Sequence, residues 1–244
     1  MPLILAVLTF AFFIGISYLS NYVKKRFLLK EAMEGAAPQN GSIINGVAAP
    51  ERTVAILPAL DKATARIEGY AMPESLYYHQ GHAWVAPQDA GTALIGIDEF
   101  TSKFVGEPSS LKIPQVGESF RQGEKGWSLR NDDKTLEMVF PIDGKVIAVN
   151  EQVIQNPALA AQEPYGRGWL LMVESRNLRR NLRNLLKGSV AKRWLEESAM
   201  ELRSLFARRL GIVFQDGGLP EDGLADYINS DEWREFARRM FMVE

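Results

Sequence analysis

Short strand segments separated by turn signals run from Met72 to Val173 and constrain the fold more than any other feature. Apolar and polar residues alternate over short stretches, and clusters of Gly, Asp or Pro interrupt them. Short strands at such close intervals are typical of an all-β sandwich or barrel. The predicted strands are His82–Ala86, Thr92–Ile97, Ser119–Phe120, Lys145–Val149 and Trp169–Val173, with Glu99–Val105 as the predicted helix among them.

A predicted hairpin lies near the middle of this region. Its two strands are Trp127–Leu129 and Thr135–Phe140, and a polar turn that contains Asp132, Asp133 and Lys134 joins them. Side chains alternate between the two faces of a strand, so a shift of one residue moves a side chain to the other face. The position of Lys134 relative to the turn therefore decides how far its amine projects.

The N-terminal region, residues 1–30, contains an apolar run from Pro2 to Val23 without a charged residue. About twenty such residues cross the hydrocarbon core of a bilayer. Lys24, Lys25 and Arg26 follow the run, which predicts a retained transmembrane helix with the rest of the chain in the cytoplasm. A cleaved signal peptide has its basic residues before the apolar run, which is the reverse of the order here. A buried globular helix needs a polar face, and few polar residues are present.

Residues 31–71 are rich in small and turn-forming residues and predict a linker between the anchor and the β domain. Two apolar islands interrupt it, Val54–Leu57 and a predicted short helix at Ala59–Ile67. Such islands dock either on the neighbouring domain or on a partner.

Residues 175–244 predict a helical C-terminal extension. Apolar residues at three- and four-residue spacing predict an amphipathic helix, and Ser230 is the predicted N-cap of a last short helix. The stretch 176–193 carries seven basic residues and no acidic one, which leaves three interpretations: a solvated face, contact with anionic lipid, or docking of an acidic protein. The apolar positions of the predicted amphipathic helix are Val190, Trp194, Leu195, Ala199, Leu202, Leu205, Phe206 and Leu210.

Composition excludes several classes of function. The net charge of −2 argues against a protein that binds nucleic acid over its whole surface. The absence of cysteine excludes disulfides, thiol catalysis and cysteine-ligated metals. The sequence also contains no recognisable catalytic triad, metal cluster or phosphate loop, so we expect a protein that is not an enzyme.

Several motifs in residues 72–174 resemble, in order, those of the glycine cleavage system H protein. The opening Tyr77-Tyr78-His79-Gln80-Gly81-His82-Ala83-Trp84 is similar to the start of that family. The resemblance implies a lipoyl-type barrel-sandwich hybrid, so the expected fold is mainly β, with one transmembrane helix before it and a helical tail after it. Further motifs are Gly96–Phe100, Ile113–Gly117, Pro141–Asn150, Asn156–Leu159, Glu163–Gly166 and Gly168–Leu170.

The resemblance also implies a lysine that carries lipoic acid at the hairpin turn. In the family, that lysine lies eight residues before a proline that corresponds to Pro141. Counting back eight residues reaches Asp133, whereas Lys134 is seven residues away. The interval from Gly123 to Gly144 has the family's length, so Lys134 is either an ordinary turn lysine, which we favour, or a shifted lipoyl site.

The two histidines are predicted to be structural. His82 matches a family histidine, but Ala83 stands where the family has glutamate, and His79 has no evident second metal ligand. We therefore predict no metal site.

Two functions follow from these observations. The first is a membrane-anchored H-protein-like module without a cofactor, which serves as an accessory or scaffold subunit of a membrane protein complex. The second is a lipoyl carrier modified on Lys134, which shuttles aminomethyl groups, acyl groups or reducing equivalents between enzymes.

Overall fold

The computed structural model describes residues 63–210, 223 and 228–242. Eleven β-strands and six α-helices occur in these ranges. The strands are β1 Thr64–Ile67, β2 Tyr70–Pro73, β3 Tyr77–Tyr78, β4 Ala83–Pro87, β5 Thr92–Ile97, β6 Ser110–Lys112, β7 Ser119–Phe120, β8 Lys125–Asn131, β9 Lys134–Val139, β10 Gly144–Val149 and β11 Leu171–Glu174. The helices are α1 Glu99–Val105, α2 Glu151–Gln155, α3 Leu159–Gln162, α4 Leu178–Asn181, α5 Gly188–Leu210 and α6 Ser230–Phe241, and a 3₁₀ turn spans Leu182–Asn184.

The strands form three antiparallel sheets. Six strands pair in the order β3-β4-β5-β11-β10-β7, three pair in the order β6-β8-β9, and β1 pairs with β2. The inward rows of the two larger sheets contribute to one hydrophobic core, with Leu94 and Val173 from the first and Leu129 and Leu136 from the second. The predicted mainly β fold with a helical C-terminal part is thereby confirmed.

Strong turn signals located most of the predicted strands. The predictions for Thr92–Ile97, Ser119–Phe120 and the helix Glu99–Val105 agree with the observed bounds, and the other strands differ at their ends. Strand β8 extends beyond its predicted limits to Lys125–Asn131, whereas β9 has the predicted length but lies one residue earlier, at Lys134–Val139. The polar residues at their ends are held by backbone pairing, which hydrophobic alternation does not report.

The helix predicted at Ala59–Ile67 is wrong over its last four residues. Thr64–Ile67 is strand β1, and it pairs with β2 from Thr64 opposite Pro73 to Ile67 opposite Tyr70. Alanine and arginine favour a helix locally, but the two-residue turn at Glu68 and Gly69 folds β1 back onto β2, and that pairing overrides the helical preference. Residues 59–62 and the other apolar island of the predicted linker lie outside the described residues.

Asp98 determines where α1 begins. Its Oδ1 accepts hydrogen bonds from the backbone N–H of Thr101 at 2.8 Å and from the Thr101 hydroxyl at 2.9 Å. A carboxylate in this N-cap position satisfies a backbone donor that has no partner within the helix and interacts favourably with the positive end of the helix dipole. The helix ends at Gly106, whose φ of +75° favours glycine.

Two residues of the H-protein-like motifs hold the sheet and its loops together. The ring of Trp84 lies across Gly96 on the neighbouring strand, where a Cβ would approach the ring to 2.4 Å. The indole N–H of Trp84 donates to the carbonyl oxygen of Pro164 at 3.0 Å. Tyr165 accepts from the backbone N–H of Glu99 and donates to the carbonyl oxygen of Ala71, both at 2.9 Å. These motif residues therefore connect the loop before β11 with β2, β4 and α1.

The C-terminal helices pack on the β domain. In α6 the buried rings of Trp233 and Phe236 lie 4.9 Å from the ring of Phe104, centroid to centroid. The predicted N-cap is wrong by one residue, since Asn229 caps α6 and Ser230 is its first residue. Val190 does not belong to the buried face of α5 as predicted, because it is 61% exposed. Spacing identifies an apolar stripe but not where along the helix the neighbouring surface begins.

Among the described helices, none combines the length and the apolar character that a membrane crossing requires. The apolar run Pro2–Val23 lies outside the described residues, so the predicted transmembrane helix stays a prediction.

Removing a buried ring of α6 tests this packing. Phe236→Ala is expected to lower the free energy of unfolding by about 3–5 kcal/mol, because it removes a buried ring and leaves a cavity. The measurement is urea denaturation of the full chain. Met200→Ala is the matched control, since Met200 is 62% exposed and its loss should change stability by less than about 0.5 kcal/mol. Equal effects of the two substitutions would show that α6 does not dock as described.

Candidate functional site

The hairpin formed by β8 and β9 closes with a two-residue turn. Asn131 pairs with Lys134, so Asp132 and Asp133 alone form the tip. Asp132 has a φ of +50°, a conformation that Asp and Asn tolerate better than most residues. Both tip aspartates are exposed.

Lys134 is the first residue of β9 and does not lie at the tip. Side chains alternate along a strand, so Lys134 belongs to the same row as Leu136 and Met138. Both of those side chains are buried in the core, whereas Thr135 and Glu137 on the opposite face are exposed. Lys134 itself is half-buried, and its side chain is not free of contacts. The hairpin therefore presents Asp133, the residue at the counted lysine position, more openly than Lys134.

The tip is tied to the end of α1. The side-chain amide of Asn131 donates to the carbonyl oxygen of Val105 at 2.8 Å. Arg130 Nε donates to the carbonyl oxygen of Asp132 at 3.0 Å. The backbone N–H of Gly223, in the C-terminal extension, donates to the carbonyl oxygen of Lys103 at 2.8 Å, also in α1. The hairpin, α1 and part of the extension thus meet at one place.

The extension also contacts the hairpin, because α6 packs against β9. Sequence patterns indicated that the extra helices contact something, without identifying what. The missed signal was the spacing of Trp233 and Phe236, whose rings pack on Phe104 of α1, a contact that becomes evident only once the fold is known.

His82 lies at the centre of an aromatic cage. It is fully buried, and its Nδ1 donates to Oδ2 of Asp98 at 2.7 Å. The ring of Phe100 stacks on it at 4.1 Å, and the rings of Trp194 and Phe241 lie at 4.5 and 5.3 Å. Nε2 has no hydrogen-bond partner among the described residues. This histidine therefore joins the β domain to α1, α5 and α6.

His79 lies on the same loop and is partly buried. Its Nδ1 accepts from the backbone N–H of Gly81 at 3.0 Å. Burial, with a smaller contribution from His82, lowers the pKa of His79 from 6.5 to about 4. In the described part of the chain, no group of three His, Cys, Asp or Glu side chains has the arrangement of a metal site.

An open groove of about 180 Å³ lies on the outer side of the hairpin. Lys125 and Glu137 form an ion pair across it at 2.9 Å. The indole N–H of Trp127 is buried and has no hydrogen-bond partner among the described residues. The lining residues are Lys112, Lys125, Gly126, Trp127, Ser128 and Glu137.

Comparison with known proteins decides the family. Residues 76–198, about half of the chain, match the family model described as Glycine cleavage H-protein. The chain belongs to the glycine cleavage H-protein family. The matched span includes the basic stretch and ends inside α5, so the H-protein domain extends past the last β-strand.

Individual relatives agree with this assignment. The chain is 33% identical over 127 residues to the glycine cleavage system H protein of Halothermothrix orenii, a match that covers 52% of this chain and 97% of that protein. It is 35% identical over 104 residues to the H protein of Thermobifida fusca, covering 43% and 82%. A crystal structure of the H protein from Mycobacterium marinum matches with 28% identity and a TM-score of 0.41, covering 43% of this chain and 87% of that one.

The pKa of His79 predicts how stability changes with pH. The unfolded chain binds a proton at His79 below about pH 6.5, whereas the folded chain does so only near pH 4. Stability should therefore fall as the pH is lowered from 6.5 to 4, by at most about 1.4 kcal/mol per pH unit from this group. His79→Asn removes the titration while keeping an acceptor for Gly81. The free energies of unfolding of the native chain and this variant, measured from pH 4 to 7.5, should diverge below pH 6.5. Parallel curves would contradict the lowered pKa.

Proposed function

We propose that the H-protein domain of this chain acts without a lipoyl arm, as a protein-binding accessory or scaffold subunit of a membrane protein complex. One observation carries the proposal: the hairpin tip presents Asp132 and Asp133, and its lysine lies in the strand. H proteins belong to the lipoyl carriers, and the tip of this hairpin does not fit that attachment at the expected position.

The physical reason is the alternation of side chains on β9. A lipoyl arm requires a lysine whose amine projects into solvent, so that a ligase and client enzymes reach it. Asp133 projects in this way but has no amine, whereas Lys134 shares a row with Leu136 and Met138. Extracting Lys134 for modification costs the contacts of a half-buried side chain.

The membrane part of the proposal rests on the sequence. The apolar run Pro2–Val23 and its basic flank Lys24–Arg26 support a single span with the H-protein domain on the cytoplasmic side. A domain held at a bilayer serves fixed partners better than it serves several soluble enzymes in turn. Protein subunits of a membrane complex are accordingly the proposed partners.

A second function is supported by family membership together with the position of Lys134 directly after the exposed tip. In this alternative, Lys134 is lipoylated and the chain carries aminomethyl groups, acyl groups or reducing equivalents between enzymes. The turn then has to open enough to release its first strand residue to solvent.

Intact-mass spectrometry separates the two functions. The full chain, produced in cells that lipoylate their own H protein, is expected to have the mass of its sequence without a lipoyl group, because the counted position holds an aspartate. Lys134→Arg should then leave the modification state unchanged. An added lipoyl mass that Lys134→Arg abolishes would establish the carrier function instead.

A gain-of-function variant tests whether the position of the lysine is the cause. Asp133→Lys combined with Lys134→Thr places the amine at the tip, where a lipoyl ligase has access, and should add one lipoyl group. Thr135→Lys combined with Lys134→Thr is the matched control, with a lysine one residue farther from the tip. Modification of both variants, or of neither, would show that the one-residue shift does not decide lipoylation.

Membrane topology needs a separate measurement. The full chain should stay in the membrane fraction after alkaline carbonate extraction, since a spanning helix resists it. A reporter fused after Glu244 should be inaccessible to protease added outside intact cells. Release by carbonate would contradict the anchor, and protease access from outside would reverse the orientation.

A further inference from the structure

A set of arginines forms one exposed surface after the last β-strand. Arg176, Arg179, Arg180 and Arg183 are all exposed, and we refer to them as the arginine face. They lie on the turn before α4, on α4 and on the 3₁₀ turn after it. No acidic residue interrupts the sequence between them.

The inner side of the same segment is anchored. Leu178, Asn181 and Leu185 are buried and alternate with the exposed arginines. The side-chain amide of Asn181 donates to Oδ2 of Asp143 at 3.1 Å, and the backbone N–H of Asp143 donates to Oδ1 of Asn181 at 3.2 Å. The arginines therefore project from a backbone whose position is held by the β domain.

The arginine face is electrostatically uncompensated. Elsewhere, Arg167, Arg203 and Arg239 form ion pairs with glutamates. None of the four arginines of the face forms an ion pair within the described part of the chain. Asp143 is already engaged: its pKa is lowered first by the backbone N–H of Gln122 and only last by Arg180.

The face lies at the base of the hairpin, away from its tip. Asn184 donates to the side chain of Gln122 at 2.7 Å, and Gln122 donates to the carbonyl oxygen of Pro141 at 2.9 Å. These two contacts are beside the base, where Gly123 pairs with Phe140. The seven residues of β8 separate base from tip by about 20 Å, at about 3.3 Å per residue.

We propose that the arginine face docks on the surface of a bilayer that contains anionic phospholipid. Guanidinium groups bind phosphate oxygens with two parallel hydrogen bonds, and basic clusters beside an anchor are attracted to anionic headgroups. The inference rests on the proposed function to the extent that the apolar N-terminal run keeps the domain at the bilayer. That proximity favours lipid over an acidic protein. Because the apolar N-terminal run and the arginine face belong to one chain, individually weak contacts between the arginine face and lipid suffice for docking. Docking at the base of the hairpin directs its tip away from the membrane.

The absence of cysteine makes a site-specific test direct, because one introduced cysteine carries the only label. Ser189→Cys places a fluorophore two residues after Lys187, and Asp133→Cys places one at the tip; both positions are exposed. Each labelled full chain is reconstituted in nanodiscs of phosphatidylcholine alone or mixed with phosphatidylglycerol. Energy transfer to an acceptor on the lipid headgroups reports the distance from the membrane. A thermal midpoint equal to that of the unlabelled chain confirms that the label is tolerated.

Phosphatidylglycerol should increase transfer from position 189 and leave position 133 distant from the surface, and high salt should reverse the increase. Each Arg→Gln change in the arginine face should lower the docking equilibrium constant about fivefold. The matched control is one variant that removes the same charge outside the arginine face and should retain docking. Its four substitutions are Arg66→Gln, Arg167→Gln, Arg234→Gln and Arg238→Gln.

Equal transfer from position 189 in both lipid mixtures would overturn the proposal and leave an acidic protein as the partner of this face. A loss of docking in the control variant as large as in the face variant would also overturn it, because net charge alone would then be responsible. If the chain does not remain in discs of either composition, that result contradicts the proposed membrane anchor and not the docking of the arginine face. In that case, the same labelled chain added to preformed vesicles still tests the arginine face, which should bind only vesicles with phosphatidylglycerol.

Discussion

The buried pair of His82 and Asp98 is the interaction on which the rest of the described structure depends. Asp98 uses one carboxylate oxygen to hold His82 and the other to cap α1. Removing one partner of a buried hydrogen bond of this kind costs about 1–3 kcal/mol, because the remaining partner is left unsatisfied in an apolar environment. The far end of α1 then holds the hairpin through Asn131. The aromatic cage of His82 receives α5 through Trp194 and the end of α6 through Phe241. One carboxylate thus connects the sheet, the hairpin and the C-terminal helices.

The hairpin illustrates how a domain keeps its shape while a single position changes its chemistry. Leu129 faces Leu136 and Trp127 faces Met138 across the two strands, so the core specifies the register strongly. A strand so specified does not slide by one residue to bring Lys134 to the tip, because the slide would turn Leu136 and Met138 toward solvent. The register therefore places Asp132 and Asp133 at the turn and Lys134 in the strand.

Local patterns predicted much of the fold and the relevant part of the hairpin. The strand Thr92–Ile97 and the helix Glu99–Val105 were predicted from local patterns, and their bounds agree with the structure. The helix expected at Ala59–Ile67 failed because Thr64–Ile67 folds back onto β2 through a two-residue turn at Glu68 and Gly69, whose positive φ values helical composition does not report. The cage around His82 was not predictable because its rings come from α1, α5 and α6, which are distant from one another in the sequence. The count from Pro141 placed Asp133 at the family's lysine position, but the expectation that Lys134 is a turn lysine was wrong, because Lys134 is the first residue of β9 and pairs with Asn131.

The order of the small sheet gives the C-terminal extension one more consequence. In the order β6-β8-β9, strand β9 is an edge, and an open edge offers backbone donors and acceptors to strands of other molecules. Helix α6 packs against β9 and restricts that access. A chain without α6 would expose both the apolar side of α1 and an unprotected strand edge, which together favour aggregation. The tail therefore protects the domain against association through this strand edge, in addition to its contribution to stability.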